Sequence, residues 1–330
     1  VDHLAFATYT ASADSGGRTV FGFDGQIFEG FTQEHFQAFA ERKWASHRYN
    51  LERMAAGNTL GLFVKEIDKI VADDIRGLSW NRTEHAPGVL TGNRIDGICS
   101  FLSRPQDEMD RLRRIGHKEI SISKSIQEPS ILKKFAYAGF RIDQGGIWAG
   151  FWLHAHASLD LKNLIAGLED PLERGKIPLA LADLPEETSI QADGSELAPD
   201  DLLAGDTSRL KDLSSWFSMK WGISAGDCDE NSVSPQTFAD NILPFLNFFR
   251  FTAWSSSNDR IGLAKKIKET EKKVARKRTG LSEGDKVVVT GGILAGKTCT
   301  VDSIDSRGKV RVAVGRMAME INPGLLKKIG

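Results

Sequence analysis

The sequence predicts an α+β or mixed α/β body followed by a small all-β module. The chain has 330 residues, roughly twice the usual single-domain size, so two folded units are expected. In the first 258 residues, strand and helix patterns follow one another without a regular strand–helix–strand rhythm, which is typical of mixed layers. The last 50 residues contain short alternating strands separated by glycines, which indicates an all-β unit.

The composition is that of a folded protein. Hydrophobic residues make up 41% of the chain, with 18 Phe and 7 Trp, which is enough for a sizeable core. The net charge is only -1, so any binding of nucleic acid has to depend on local basic patches. Three widely separated cysteines exclude a disulfide framework and a C-x-x-C zinc site, and a reducing, cytoplasmic setting is expected.

No membrane segment or secretion signal is expected. The sequence contains no uninterrupted apolar run of about 18 residues, the length that a membrane-spanning helix needs. The first ten residues lack a basic stretch followed by an apolar core. The predicted partners therefore do not include a membrane.

Residues 1–258 form the predicted N-terminal body. A helix is expected to begin after Thr32, a plausible N-cap, and to end at Gly57. The other predicted elements are strands at 4–9, 19–23, 95–102, 119–123 and 146–159, and helices at 60–75, 104–115 and 129–137.

The predicted strand at 146–159 carries the candidate catalytic residues. Its apolar side chains alternate with Trp148, Trp152, His154 and His156, so the two histidines share one face. Such a pair can serve as metal ligands or as an acid–base pair. The alternative is a structural pair that stacks and hydrogen-bonds under a helix layer. Because no spacing selects a third ligand, the sequence predicts no metal site and leaves enzyme activity and cofactors open.

Two further segments complete the predicted body. Residues 165–212 contain twelve acidic and four basic residues, interrupted by proline and glycine, and are predicted to be a long irregular connection. Residues 213–258 are rich in Trp and Phe and are predicted to be a helical segment. Its most apolar part, 242–254, is interpreted as a kinked helix in the core, because Pro244 interrupts the pattern.

Residues 259–280 are the predicted linker, a basic helix. From Arg260 to Gly280 the chain has nine basic and two acidic residues. Leu263, Ile267 and Val274 form only a narrow apolar seam, so the helix is expected on the surface. Its charge has two interpretations, a phosphate-binding surface and a solvated linker.

Residues 281–330 form the predicted C-terminal module. Strands are expected at 286–290, 298–304, 309–314 and 318–321, and four or five such strands can close into a small barrel. The segment 291–298 has the spacing G-x-x-x-x-G-K-T of a phosphate loop. A strand pattern follows it where a phosphate loop needs a helix, which favours a turn of the barrel.

Several motifs of this module occur together in a fixed order. They are Gly284-Asp285 with Val287 and Val289, then Gly296 with Val301 and Ile304, then Val310 and Val312, and finally Gly315-Arg316. This pattern resembles the KOW module, the SH3-like barrel of NusG-type transcription elongation factors and of several ribosomal proteins. The resemblance covers about 15% of the chain. Cys299 stands where the family's most characteristic glycine is expected.

The resemblance implies binding of RNA, ribosomal components or proteins associated with RNA polymerase. We therefore predict a protein of transcription or translation that engages RNA, DNA or a protein of that machinery. The predicted contacts are Lys265, Lys266, Lys268, Lys272, Lys273, Arg276, Lys277, Arg278, Lys286, Lys297, Arg307, Lys309, Arg311 and Arg316. Two alternatives stay open: an enzyme, with an active site in the body and the module as a targeting arm, and a protein-binding adaptor.

Overall fold

The structure is a computed structural model. It describes residues 26–87, 94–109, 112, 131–181, 183–228, 232–265, 267, 269, 279–292, 294–305, 309–314 and 317–329. The predicted strands at 4–9, 19–23 and 119–123 lie outside this set. The chain divides into two compact units, Val1–Arg260 and Ile261–Gly330. They are called the body and the C-terminal unit below.

A seven-stranded antiparallel sheet forms the centre of the body. Its strands are β1 (Ser79–Arg82), β2 (Gly97–Ser103), β3 (Tyr137–Asp143), β4 (Gly146–His154), β5 (Ser189–Ala192), β6 (Ser195–Glu196) and β7 (Trp216–Ser224). They are ordered β1-β2-β3-β4-β7-β5-β6. The described strand pairs are all antiparallel, so the body is a mixed α+β unit.

The main helices pack on one face of this sheet. The helices are α1 (Gln33–Gln37), α2 (Asn50–Val71), α3 (Ile131–Lys134), α4 (Ser158–Glu169), α5 (Pro171–Arg174), α6 (Ile177–Leu181), α7 (Pro199–Ala204), α8 (Ser208–Lys211) and α9 (Pro235–Thr252). Helix α9 contacts α2, α4, α6 and the strands β3 and β4. The core therefore forms around α9.

The alternation predicted for the 146–159 strand is confirmed for β4. Ile147, Ala149, Phe151 and Leu153 are fully buried in the main core. On the opposite face, Trp152 packs in a second cluster with Cys99, Phe101 and Tyr137. The prediction is wrong for residues 155–159, because the chain turns after His154 and α4 begins at Ser158.

The predicted long helix between Thr32 and Gly57 is not continuous. Thr32 is the N-cap of the short helix α1, as predicted. Two 3-10 helices, Glu41–Lys43 and His47–Tyr49, then lead into α2, which runs through Gly57 to Val71. Gly57 is not a stop signal. It allows close packing, because a Cβ there would lie 3.2 Å from the Ile98 side chain.

Helix α9 confirms the prediction of a buried helix around Pro244. The proline lies inside the helix, and Phe245, Leu246, Phe248 and Phe249 are buried around it. Among the helices that the structure describes, none has the length and hydropathy needed to cross a membrane. The segment 213–258 is nevertheless not wholly helical, since its first aromatic residues form strand β7.

The prediction of a long irregular connection at 165–212 is wrong. The segment contains α5 to α8 and the strands β5 and β6. Its polar residues begin helices and close turns: the Asp170 carboxylate accepts the Leu172 N–H at 2.9 Å, and Asp193 accepts the Ser214 and Ser215 N–H groups. Asp and Pro interrupt the hydrophobic pattern of this segment because they lie where short helices begin, Asp as the N-cap and Pro in the first turn.

A buried ion pair joins distant parts of the body. Asp160 is fully buried in α4, and its carboxylate pairs with Arg104, which follows β2 and is 4% exposed. The same carboxylate accepts the backbone N–H groups of Ala136 at 2.8 Å and Trp254 at 2.9 Å. Arg104 Nε also donates to the Trp254 carbonyl. Every partner is hydrogen-bonded, which offsets the cost of burying two charges.

We expect Asp160→Asn to destabilise the body by about 3–5 kcal/mol, because it leaves the buried Arg104 guanidinium without a counter-charge. All seven tryptophans belong to the body, so tryptophan fluorescence during urea unfolding reports on this unit alone. The matched control is Asp73→Asn, whose carboxylate pairs with Arg76 on the surface and is 91% exposed. It should change stability by about 0.5 kcal/mol or less. Equal effects of the two variants would contradict the prediction.

The C-terminal unit contains a five-stranded antiparallel sheet. Its strands are β8 (Lys286–Val289), β9 (Thr298–Ile304), β10 (Val310–Val314), β11 (Met317–Ile321) and β12 (Leu326–Lys328). The order is β11-β10-β9-β8-β12, so β11 and β12 are the two edges. The four predicted strands are confirmed. The fifth, β12, follows a 3-10 turn at Pro323–Leu325 and was not predicted.

Candidate functional site

The outer face of the C-terminal sheet carries three exposed cations. The inner face is apolar: Val287, Val289, Val301, Val310 and Val312 are at most 2% exposed. Because side chains alternate along a strand, Lys286 on β8 and Arg311 on β10 face outward, and both are exposed. Lys327 joins them, as shown by the register of β12. These three residues are called the cationic row.

The register of the strands gives the spacing of the cationic row. Lys327 pairs with Val288, two residues along β8 from Lys286. Such diagonal neighbours lie about 7–8 Å apart on one face. Arg311 is one strand further away, beyond β9, where Lys286 pairs with Thr300 and Arg311 with Ser303. The row therefore crosses the sheet.

The basic residues of this unit differ in whether they form ion pairs. Lys309 pairs with Glu320 at 2.6 Å and Lys328 with Asp285 at 2.7 Å. The members of the cationic row, and Lys297 in the turn before β9, have no ion pair with a described residue. Glu320, which lies opposite Arg311 in the strand register, is paired with Lys309 instead. The cationic row therefore remains accessible to an anionic partner.

The structure describes only part of the predicted contact set. Lys265, Lys286, Lys297, Lys309 and Arg311 are described and exposed. Outside the described residues lie Lys266, Lys268, Lys272, Lys273, Arg276, Lys277, Arg278, Arg307 and Arg316. The predicted set omitted Lys327, because β12 is a three-residue strand with too little alternation to be recognised in sequence.

The phosphate-loop spacing at 291–298 belongs to a turn, as predicted. Strand β9 begins at Thr298, where a phosphate loop would begin a helix. The turn is closed by the Gly296 N–H, which donates to the Val289 carbonyl at 2.7 Å. Gly296 has a φ of 82°, a left-handed conformation that favours glycine.

The cysteines are buried. Cys299 is 3% exposed and packs with Val301 and Val312 in the core of the C-terminal unit. It therefore fills volume at the position where the resemblance leads one to expect glycine. Cys99 and Cys228 are also buried.

The histidine pair lies at the end of β4, but only His154 belongs to the strand. His156 follows in the turn, and its backbone N–H donates to His154 Nδ1 at 3.0 Å. The His154 ring packs edge-on against Trp216, with ring centroids 4.6 Å apart, and is 6% exposed. The two imidazole centroids are also 4.6 Å apart.

This geometry supports the structural interpretation of the pair. Burial, together with the neighbouring His156 and Lys133, lowers the pKa of His154 to about 4, while Asp193 opposes the shift. The ring is neutral near pH 7, and its Nδ1 is already used as a hydrogen-bond acceptor. His154 therefore closes the turn between β4 and α4.

Comparisons with known proteins do not assign the chain to a family. The sequence matches no protein-family model, and no curated protein matches it. Within the residues that the structure describes, no group of three or more His, Cys, Asp or Glu side chains is placed to hold a metal ion.

We expect His154 to make stability depend on pH. Its pKa is lower in the folded protein than its ordinary value of 6.5, so the unfolded chain binds the extra proton first. The contribution of His154 is present above pH 6.5 and is lost as the pH falls toward 4. Urea unfolding of His154→Gln should therefore vary less with pH in this window than that of the wild type. His47→Gln, which changes an exposed histidine, is the control. An imidazole signal of His154 that titrates above pH 6 in NMR spectra would contradict the prediction.

Proposed function

We propose that the protein binds nucleic acid through its C-terminal unit, which acts as a KOW-like barrel. The observation that carries the proposal is the cationic row, three exposed cations on one face that form no ion pair with a residue that the structure describes. Such a surface attracts phosphates, and each neutralised phosphate releases counterions. The partner is RNA or DNA of the transcription or translation machinery.

The proposal includes the closure of the five-stranded sheet into a small barrel. The positions that carry the KOW resemblance, Val287, Val289, Val301, Val310 and Val312, supply the apolar inner face of the sheet. A small sheet with such a face is stable when it curls around its core and protects its edges. Leu281, which precedes β8, is 3% exposed and belongs to the same core.

The basic segment 260–280 strengthens the proposed interaction. The cationic row alone offers three phosphate contacts, which is few for tight binding. The segment adds nine basic residues in the same chain, of which Arg260 is already paired with Glu173 in the body. Because binding free energy increases with the number of neutralised phosphates, we propose that both surfaces act on one nucleic acid.

Removing the cationic row should weaken binding and its dependence on salt. We expect the triple variant Lys286→Gln, Arg311→Gln, Lys327→Gln to reduce the slope of log K against log salt for single-stranded RNA by about 2, at about 0.7 per contact. Fluorescence anisotropy with labelled RNA, single-stranded DNA and duplex DNA measures this effect.

The matched control removes three cations from the body, with Lys69→Gln, Arg76→Gln and Lys211→Gln. Each of these side chains has a carboxylate partner on the surface. The net charge changes equally in both triple variants, so a difference between them reports the position of the charges. Equal affinities of the two variants at low salt would contradict the role of the cationic row.

A separate variant tests the basic segment. Replacing Lys272, Lys273, Arg276, Lys277 and Arg278 with Gln removes up to five contacts, and the slope for single-stranded RNA should fall by up to about 3.5. The loss should be similar for all RNA sequences, because phosphate contacts carry no sequence information. An unchanged affinity at low salt would leave this segment as a solvated linker.

A protein of the same machinery is the second candidate partner, and edge strand β11 favours it. Met319 and Met317 pair with Val312 and Val314, so they lie on the inner side of the sheet. They are nevertheless 42% and 67% exposed. An apolar edge strand with free backbone groups can pair with a strand of another protein. If the double variant Met317→Ser, Met319→Ser bound the protein partner as tightly as the wild type, this result would argue against the candidate.

A further inference from the structure

A shallow groove lies on the body beside the second half of α9. Its lining consists of Lys176, Leu179, Asn247, Arg250 and Phe251, and its volume is about 210 Å³. The groove is built from α6, the residue before it, and α9, which pack against each other. The groove belongs to the body, whereas the cationic row belongs to the C-terminal unit.

The floor of the groove is apolar. Leu179 on α6 is 77% exposed, and Leu172 on the preceding helix α5 is 84% exposed. They have the highest exposure among the large hydrophobic residues that the structure describes. Only Leu179 lines the groove; single exposed leucines are ordinary, but two on consecutive short helices are typical of an interaction surface.

The rim of the groove is positively charged. Lys176 and Arg260 share one carboxylate, that of Glu173, at 2.5 Å and 2.8 Å. Arg250 donates to the backbone carbonyl of Asp74 and has no carboxylate partner among the described residues. Two cations, Lys176 and Arg250, therefore line the groove, and one carboxylate, that of Glu173, lies beside Lys176, although the surrounding segment 165–212 is strongly acidic in sequence.

The size of the groove limits what it can bind. Pockets for small molecules usually measure about 300–1,000 Å³, so the groove is small for a cofactor or substrate. It suits one apolar anchor residue of a protein partner. Stacking of a nucleic-acid base is not favoured, because the Arg260 guanidinium lies 4.2 Å from the centre of the Phe251 ring and Leu179 has no ring.

We propose that this groove binds an acidic segment of a partner protein. A Leu or Phe of the partner packs against the exposed Leu179, and its Asp or Glu side chains face Lys176 and Arg250. The exposed Asn247 amide can hydrogen-bond to the partner's backbone. The rim is held in place in advance, by Glu173 on Lys176 and by the Asp74 carbonyl on Arg250, which lowers the entropy lost on binding.

Fluorescence anisotropy with short labelled peptides tests the proposal on the full chain at about 0.15 M salt, where distant charges are screened. The acidic probe contains Leu residues separated by Glu. The second probe has Lys in place of Glu, and the third has Ser in place of Leu. We expect the acidic probe to bind at least about tenfold more tightly than either of the others, since both charge and anchor are needed.

Two variants remove the two parts of the site. Lys176→Glu, Arg250→Glu should weaken binding of the acidic probe by at least about tenfold, through lost attraction and new repulsion. Leu179→Ser should weaken it by at least about fivefold, through the lost apolar contact. The matched controls are Lys69→Glu, Arg76→Glu and Leu51→Ser, which change exposed residues away from the groove and should leave binding unaltered.

Several results would overturn the proposal. They are a wild type that does not bind the acidic probe, groove variants that bind it as tightly as the controls, and a lysine probe that binds equally well. A loss of RNA affinity in the groove variants equal to the loss of peptide affinity would assign the groove to nucleic acid. A change of oligomeric state in Leu179→Ser, measured by sedimentation, would assign it to a second copy of this chain.

Discussion

The body depends on the buried carboxylate of Asp160. Four hydrogen bonds end on it, two from Arg104 and one each from the backbones of Ala136 and Trp254. These residues follow β2, precede β3 and follow α9, so one side chain fixes three chain segments against α4. The pair is stable in the interior only because every hydrogen-bonding group of the carboxylate has a partner. The end of α9 is fixed in this way, and with it the wall of the groove formed by Phe251.

Positive and negative side chains are distributed unevenly over this protein. The net charge is -1, yet the cationic row forms no ion pair within the described part of the chain, and the groove is lined by two cations with one carboxylate beside them. Many acidic residues of 165–212 are used as helix caps and turn acceptors, which ties their carboxylates to backbone N–H groups. Basic residues are thereby left to dominate particular surfaces. Local electrostatics then decide which partners are attracted.

The two units use aromatic and charged side chains differently. In the body, Trp and Phe fill the core and the cluster around Tyr137, and His154 stays neutral against Trp216. In the C-terminal unit, the core consists mainly of valines, and the outer face carries polar and charged residues, among them the cationic row. A small sheet with a thin aliphatic core exposes much of its surface for its size. This makes it suited to binding, whereas the body provides most of the buried apolar volume.

The sequence alone determined the elements in which local signals agree. The alternation in β4, the strands around the glycines after residue 284 and the buried helix at Pro244 could be predicted, because short-range periodicity reflects which side faces a core. Of the candidate site, it gave Lys286 and Arg311 but not Lys327, whose strand is too short to show a pattern. Only the tertiary structure decided the rest. Gly57 lies inside a helix, where it packs closely against Ile98. The acidic segment forms short helices that its carboxylates cap. Lys176 and Arg250, which are 74 residues apart in sequence, line the same groove. Such contacts depend on distant residues, and no local pattern encodes them.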